Sequence, residues 1–548
     1  MSNDILIQAL DIIQGYLVLN YSNSEIQLIN SEINKISNIT LDNIKIKKHA
    51  YSYEEIQVIL SNLNEKEKIR KDKGVYYTPS DVVKFILINS AKMVSNILKP
   101  NNLHVLDLNG IPYKSFCLEK TIYDPTCGSG AFLLPALEMK LDLMELHKIQ
   151  ISKSNIFKII RTIKGNDLNY DSITITKLRL FLCVLHRYGV TKIKNVATVL
   201  NQCYKCYDYV ENNSDSNDKY DIIVGNPPYV EDSKSESIPT NKYGNIYANV
   251  LENASKQLKD KGVMSFVIPL SYVSTPRMKK IRLNLIKQIS EQYILSFSDR
   301  PDCLFTSVHQ KLCVLFGKKS CNTNATIITS NYRYWYKEER EDLFTNLEVI
   351  QNNYVTEEFI PKLGTPIDTC IYGKISRYDN SLIQLMNSDS ESVSKIFLNM
   401  RAAFWIKAFL NEHTGSEYKT FKCHDQNYAS LCMCLLNSSL FWWYWICISD
   451  CWHITNKELK GFKVPLIDNF EICNNLAKSL EKQLETTKLY VGTKQTEYEY
   501  KHKECIELIH QIDDFVNEIY GLTEEESLYI KNFAYRYRMS GGTKNECN

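Results

Sequence analysis

Apolar residues recur at helical spacing near the start of the chain, at Ile5, Leu10, Ile12 and Ile13, in a polar stretch that runs to about Arg70 and predicts helices. From Gly74 to about Phe316 the pattern changes to short β-rich runs alternating with helical segments. The candidate strands are residues 120–123, 162–165, 221–225, 263–268 and 312–316, and this alternation predicts a wound α/β sheet. In such sheets ligands sit at the carboxyl ends of the strands. Beyond Gly317 the alternation decays into irregular, aromatic-rich sequence, which marks a further domain. Residues 472–520 form a long polar stretch that predicts one or two closing helices. The run from Leu431 to Ile448 is apolar enough to raise the question of a membrane span, but Asn437, Ser438 and Ser439 interrupt it, so a buried element is expected. The resulting division is a helical segment at 1–70, an α/β domain at 71–320, and a mixed α/β domain with C-terminal helices at 321–548.

A chain of 548 residues is too long for one core, and about two to four domains are expected. Its net charge of +2 excludes a protein coated in nucleic acid, so any DNA-binding surface must be local. One candidate is the cluster Lys259, Lys261, Arg277, Lys279, Lys280 and Arg282, opposed only by Asp260; a solvated helical face explains it equally well. Two further runs interleave rings with positive charge, Tyr332-Arg333-Tyr334-Trp335-Tyr336-Lys337 and Phe533 to Arg538. Both suit phosphate contact and base stacking, and ordinary packing accounts for either. Seventeen Cys without regular spacing, and no cationic stretch at Met1 to Leu10, point to reduced thiols in a cytoplasmic protein. Cys203 and Cys206 form a CxxC pair with no second pair to complete a zinc site, and Cys447, Cys451 and His453 read as core or surface residues, so no metal is expected.

The candidate chemistry begins at Asn226-Pro227-Pro228-Tyr229, directly after the apolar run Ile222 to Gly225. An amino nitrogen on a planar ring or amide is a poor nucleophile because its lone pair is delocalised. An Asn side-chain oxygen and the carbonyl between two prolines can together accept both of its N–H bonds, the prolines hold that carbonyl in place, and the Tyr ring offers a face for a flat substrate. The tetrapeptide therefore suggests methyl transfer to such a nitrogen; an ordinary strand exit is the plain alternative. Upstream, Asp124-Pro125-Thr126-Cys127-Gly128-Ser129-Gly130-Ala131-Phe132 follows one strand and opens an apolar helix. That is the context in which a Gly-x-Gly turn brings backbone close to a ligand. Asp167, in Gly165-Asn166-Asp167-Leu168, ends the next strand, where an acid commonly accepts from ribose hydroxyls. Asp208, before Tyr209, could accept from an adenine amino group.

With these residues in hand the chain resembles the γ-class N6-adenine DNA methyltransferases. Gly74-Val75-Tyr76-Tyr77-Thr78-Pro79 is similar to the family's GxYYTP segment, residues 124–134 to its DPxCGSGxFL motif, and Asn226 to Tyr229 to its catalytic NPPY. The resemblance implies a Rossmann-like S-adenosylmethionine-dependent methyltransferase sheet followed by a C-terminal target recognition domain. It implies that Tyr77, Thr78, Pro79, Asp124, Pro125, Cys127, Gly128, Ser129, Gly130, Phe132, Asp167, Leu168, Asp208 and Tyr209 bind S-adenosylmethionine. Asn226, Pro227, Pro228 and Tyr229 would act on an adenine rotated out of the duplex, with Phe305 of the Arg300-Pro301-Asp302-Cys303-Leu304-Phe305 segment on its other face. The resemblance is good from Gly74 to about Phe316. Beyond that it rests on Leu435-Leu436-Asn437-Ser438-Ser439-Leu440-Phe441, which is similar to a recurring phrase of the recognition domains. Two departures stand out. Val250 occupies the place where an aromatic often packs on the cofactor's adenine, and residues 101–120 read as an inserted loop.

The expected partner is double-stranded DNA, read by the region after Gly317, with no membrane, a monomeric state and room for a separately encoded restriction endonuclease. The nearest rival keeps the tetrapeptide and changes the substrate to RNA or a protein glutamine. Another makes the chain a modification subunit that needs a separate specificity protein. A fused nuclease is disfavoured, because the N-terminal stretch lacks the acids that metal-dependent cleavage requires.

Overall fold

The computed structural model describes residues 3–39, 51–63, 78–211, 218–239, 241–305, 309–320, 325–387 and 394–540. Nine strands form one sheet: β1 Ile122–Asp124, β2 Ile163–Asp167, β3 Tyr204–Cys206, β4 Tyr220–Gly225, β5 Leu258–Pro269, β6 Glu291–Phe297, β7 Leu312–Lys318, β8 Thr326–Arg333 and β9 Val349–Gln351. Their order is β3-β2-β1-β4-β5-β7-β6-β8-β9. The first five run parallel, β7 lies antiparallel between β5 and β6, and β8 is parallel to β6. This is the wound α/β sheet that the alternation of runs predicted, in the Rossmann-like form that the resemblance implied.

The sheet is two-sided because its strands alternate. Ile223, Met264, Phe266, Ile268, Cys313, Leu315, Ile294 and Ile327 face one apolar cluster. Their neighbours Ile222, Val224, Val263, Val267, Val314, Phe316, Leu295 and Ile328 face another. A period of two sends successive side chains to opposite faces, and each face is covered by a different part of the chain. The N-terminal helices Asn3–Asn20, Asn23–Ser37 and Tyr53–Asn62 lie on the second side, and the C-terminal region lies on the first. That region holds a small sheet of β10 Ser394–Asn399, β11 Ala408–Phe409 and β12 Tyr418–Cys423, with β10 in the middle.

Two sequence expectations shift. The sheet continues through β8 and β9 to Gln351, past the boundary placed at 320, because β8 finds its partner in β6 rather than in a new domain. The 101–120 segment is no loose insertion: Leu103, Ile111, Phe116 and Cys117 are buried in the second cluster. The apolar run becomes two helices, Gln426–Asn437 and Ser439–Ile448, the second of them wholly buried. Among the described residues no single helix is long and apolar enough to cross a membrane, and these two pass that test only as a pair bent by 63°. The polar stretch after 471 resolves into the helices Glu471–Thr486 and Ile506–Ile519.

At the ends of the strands away from the motifs, Asp221 on β4 links β5 to the residues that lead into β1. Its carboxylate accepts from Lys259 Nζ at 2.7 Å, Lys120 Nζ at 3.0 Å, and Thr121 N–H and Oγ1 at 3.0 and 2.9 Å. Burial opposes the charge, but the bonds from Lys259, Thr121 and Lys120 outweigh it and bring the carboxyl down to about 2. A carboxyl lowered on folding stabilises the protein above its unfolded pKa and loses that contribution as the pH falls through the folded value. Asp221→Asn is therefore expected to cost about 2 kcal/mol at neutral pH. Its deficit against the wild type in denaturant titrations should close as the pH drops from about 5 toward about 2. A deficit that stays constant over that range would show that the charge is not the source.

Candidate active site

β4 and β1 are neighbours, with Ile222 opposite Ile122 and Ile223 opposite Tyr123, so the turns that follow them emerge side by side. Gly225 closes the gap between them. A Cβ added there would lie 2.9 Å from Asp124 Oδ1 and 3.3 Å from the Phe266 ring, so the absence of a side chain lets the Asn226 turn rest against Asp124. Asp124 is buried and accepts from Thr126 N–H at 3.0 Å. Burial pushes its carboxyl well above the usual range.

The glycine loop that follows Asp124 is fixed from below. Gly128 and Gly130 have φ of +51° and +83°, in the region that L side chains rarely adopt. A Cβ on Gly130 would meet Thr176 at 3.0 Å, whereas the corresponding position on Gly128 faces open space. Gly128 N–H donates to Asp167 Oδ2 at 2.8 Å, and its carbonyl accepts from Thr176 Oγ1 at 2.8 Å. Ser129 Oγ donates to the Ser61 carbonyl at 2.9 Å, which links the loop to the N-terminal helices. Cys127 N–H reaches the Asn166 carbonyl at 2.8 Å; burial holds the Cys127 thiol protonated. Pro125 offers its carbonyl to Asn166 Nδ2 at 3.1 Å, and Phe132 is buried at the head of the helix Leu133–Leu146.

Asp167 Oδ1 accepts from Asn169 N–H at 2.9 Å, and Leu168 projects into solvent beside it, 60% exposed. Asp208 caps its own turn through the N–H groups of Val210 and Glu211, at 2.8 and 3.3 Å. Tyr209 is buried and donates to Gln257 Oε1 at 2.8 Å. Asn166, which motif reading passed over, joins these turns: its amide binds the carbonyls of Pro125 and Tyr207 and the Tyr207 N–H. Its place between Gly165 and Asp167 at the end of β2 was the available signal.

On the other side of the turn, Asn226 Nδ2 donates to Thr78 Oγ1 at 3.1 Å, which sets the orientation of the amide. Thr78 is buried, and Pro79 leads into the helix Ser80–Val94. Tyr77 lies outside the described residues. Pro227 is buried and Pro228 half-buried. Tyr229 donates its hydroxyl to the Val267 carbonyl at 3.1 Å and meets the edge of Tyr247 at 6.4 Å. Its ring forms part of the wall of a cavity of about 360 Å³. Phe305 is 1% exposed, in the apolar cluster that also contains Phe297, Trp335 and Phe344, and does not line that cavity. The Cys303 and Leu304 carbonyls before it accept from Arg340, which also pairs with Asp81. Val250 is buried in the opposite cluster.

The surfaces considered for nucleic acid sort differently from their sequence. In the basic cluster, Arg282 is buried and donates to the carbonyls of Tyr272 and Thr275 at 2.7 and 3.0 Å. Lys259 is held by Asp221, and Lys279 by Glu357 and Glu358. The two aromatic runs pack on each other: Tyr537 lies 5.6 Å from Tyr334 and 5.0 Å from Tyr336, and Arg536 lies over the Tyr336 ring. Packing, the alternative left open above, accounts for both. Asn437, Ser438 and Ser439 serve a helix junction, where the Ser438 side chain caps the helix Ser439–Ile448. No group of three or more potential metal ligands occurs among the described residues.

Residues 161–303, which span β2 to β6, match the family model described as Eco57I restriction-modification methylase. The chain is 22% identical over 391 residues to the type II restriction enzyme and methyltransferase RM.Eco57I of Escherichia coli, a match covering 62% of this chain and 36% of that protein. It is 30% identical over 145 residues to the modification methylase CviBIII of Paramecium bursaria Chlorella virus NC1A, covering 25% of this chain and 37% of the other. The chain thus spans little more than a third of the length of these relatives. Among solved structures, the type IIL restriction-modification enzyme MmeI in complex with DNA aligns with 91% of this chain and 82% of its own, at 12% identity and a TM-score of 0.49. Over residues 161–303, then, the chain is similar to the Eco57I restriction-modification methylase family.

Proposed function

We propose that this protein is a site-specific DNA methyltransferase that modifies the exocyclic N6 of an adenine, taken from the duplex into the pocket beside Tyr229. The observation that carries the reading is that the Asn226–Tyr229 turn and the glycine loop leave the carboxyl ends of adjacent strands, with Gly225 packed against Asp124. The methyl donor is S-adenosylmethionine, which supplies an electrophilic methyl group on a sulfonium. The chain's own residues fit it. The open space in front of Gly128 admits a ligand against the loop, and the Asp167 and Asp208 carboxylates lie on consecutive turns of the same sheet edge, where they can accept from hydroxyl and amino donors. Leu168 is free to cover what lies there.

Asn226 Oδ1 and the Pro227 carbonyl accept the two N6 protons, which draws the nitrogen toward pyramidal geometry and localises its lone pair. Thr78 holds the far end of the Asn226 amide, so the acceptor is oriented before the substrate arrives. Tyr229, tethered through its hydroxyl, presents a ring to the base. Most of the acceleration comes from alignment and from acceptors that favour the developing positive charge. Sequence recognition lies in the C-terminal region beyond β9, and the protein acts as a monomer.

Single-molecule sequencing of DNA from cells expressing the protein should reveal N6-methyladenine at one recurring sequence, absent from cells expressing Asn226→Ala. Transfer of label to RNA or to a glutamine peptide, with none to duplex DNA, would replace the adenine reading with one of those substrates.

A further inference from the structure

The cavity beside Tyr229 has walls from both halves of the chain: Arg277 and Ser271 after β5, Arg300 and Lys311 around the β6–β7 connection, and Asp450 and Trp452 from the C-terminal region. We propose that it is a phosphodiester-binding site, in which Arg277 and Arg300 hold the backbone phosphate beside the nucleotide whose base reaches Tyr229. The proposal rests on the reading of the protein as a DNA methyltransferase and adds to it the residues that grip the strand at the point of reaction.

The balance of charge carries the argument. Asp299 is buried and already pairs with Lys311 at 3.3 Å. Asp450 accepts from the Trp452 and His453 N–H groups at 2.9 Å each and faces the His453 ring at 3.2 Å. The carboxylates of the cavity are therefore committed. Among the described residues neither Arg277 nor Arg300 has a carboxylate within ion-pair distance, and both are exposed. Two arginines left with their charge in one concave site call for an anion.

Trp452 holds one of these arginines, Arg300, together with two further cations. Lys311 lies 4.4 Å, Arg401 4.8 Å and Arg300 5.6 Å from its ring. An indole face attracts a cation without neutralising it, and a guanidinium resting on a ring keeps its N–H edges available for a phosphate. A volume of about 360 Å³ suits a nucleotide-sized group and not a duplex. Because Tyr229 shares the cavity, an anion held there lies within a sugar's reach of a base at the catalytic turn. Trp452 belongs to the C-terminal region, so the same contact couples strand binding to the half of the chain expected to read the sequence.

The test uses the full-length protein and a labelled duplex containing the methylated sequence mapped in cells. Binding is measured against salt for the wild type, for Arg277→Gln/Arg300→Gln and for Arg277→Lys/Arg300→Lys, while one neutral methylphosphonate linkage is moved past the target adenine. The Gln variant should bind about tenfold more weakly, with the slope of log K against log salt shallower by about two, and the Lys variant should keep the slope. A single linkage next to the target should weaken the wild type and cost the Gln variant nothing further. Losses that simply add, or an unchanged slope in a Gln variant with a native circular dichroism spectrum, would overturn the site and leave methyl transfer standing. Displacement of the duplex by inorganic phosphate with no effect of any linkage would assign the cavity to a free anion and also overturn it. If the wild type modifies no duplex at all, the reading of function fails and takes this site with it.

Discussion

Asn226→Ala is expected to lower the single-turnover rate of methyl transfer by about a hundredfold or more, the usual effect of losing one preorganised polar partner at a reacting centre. S-adenosylmethionine binding, followed by calorimetry, should stay close to the wild-type value, because the residues proposed for the cofactor lie on the β1, β2 and β3 turns and at 77–79, and not on the β4 turn. The structure adds a graded control. Thr78 Oγ1 accepts from the Asn226 amide at 3.1 Å and orients it, so Thr78→Val should lower the rate by a smaller factor, through the same atom. Near-wild-type turnover in Asn226→Ala would remove the catalytic assignment. A Thr78→Val variant slower than Asn226→Ala would show that Thr78 does more than position.

The second large effect lies far from the chemistry. Arg538 is 2% exposed, lies over Trp405 and Trp442 at 4.2 and 4.4 Å, and donates to the Phe404 carbonyl and Ser439 Oγ at 3.2 and 3.1 Å. Burial brings its guanidinium down to about 10, against the pull of Asp513. Burial likewise pushes the Asp513 carboxyl up to about 6, opposed by the Ser439 N–H and by Arg538. Arg538→Ala empties the space between the two indoles, takes the donor from the Phe404 carbonyl and Ser439 Oγ, and removes the cation whose field favours the buried Asp513 carboxylate, so it should cost about 3 kcal/mol. Denaturant unfolding followed by tryptophan fluorescence reads this directly, since two indoles sandwich the site. Arg538→Met combined with Asp513→Asn should recover much of the loss, because no uncompensated charge remains. An Arg538→Ala protein of unchanged stability but weakened DNA binding would return residues 533–538 to a role in nucleic-acid contact.

These packing roles alter how recognition can be tested. Sequence specificity was expected after Gly317, which invites deletion from residue 322 onward. That deletion would strip β8 and β9 from the sheet and uncover the apolar face of β4, β5 and β7 that the C-terminal half buries. Loss of binding would then report loss of the fold. Point changes on the exposed rim of the Tyr229 cavity separate the two effects.

Four of the five parallel strands, β7 and both glycine-bearing turns were legible in the sequence, because each depends on a few neighbouring residues; the short β3 was not. An apolar run of four to six residues must be buried, Gly-x-Gly permits one kind of turn, and Asn-Pro-Pro-Tyr restricts its own backbone. β6 and β8 were not legible as members of the sheet, since their pairing joins Glu291 to Thr326 across a stretch with no local signature. Charge was the least readable property of all. Arg282, Arg538, Arg300 and Arg277 are the same residue type in similar polar company, yet the first two are buried among carbonyls and rings while the last two face a cavity. A sequence determines which side chains carry charge, but the cost of burying that charge depends on partners brought from distant parts of the chain, and only the tertiary structure decides which ones they are.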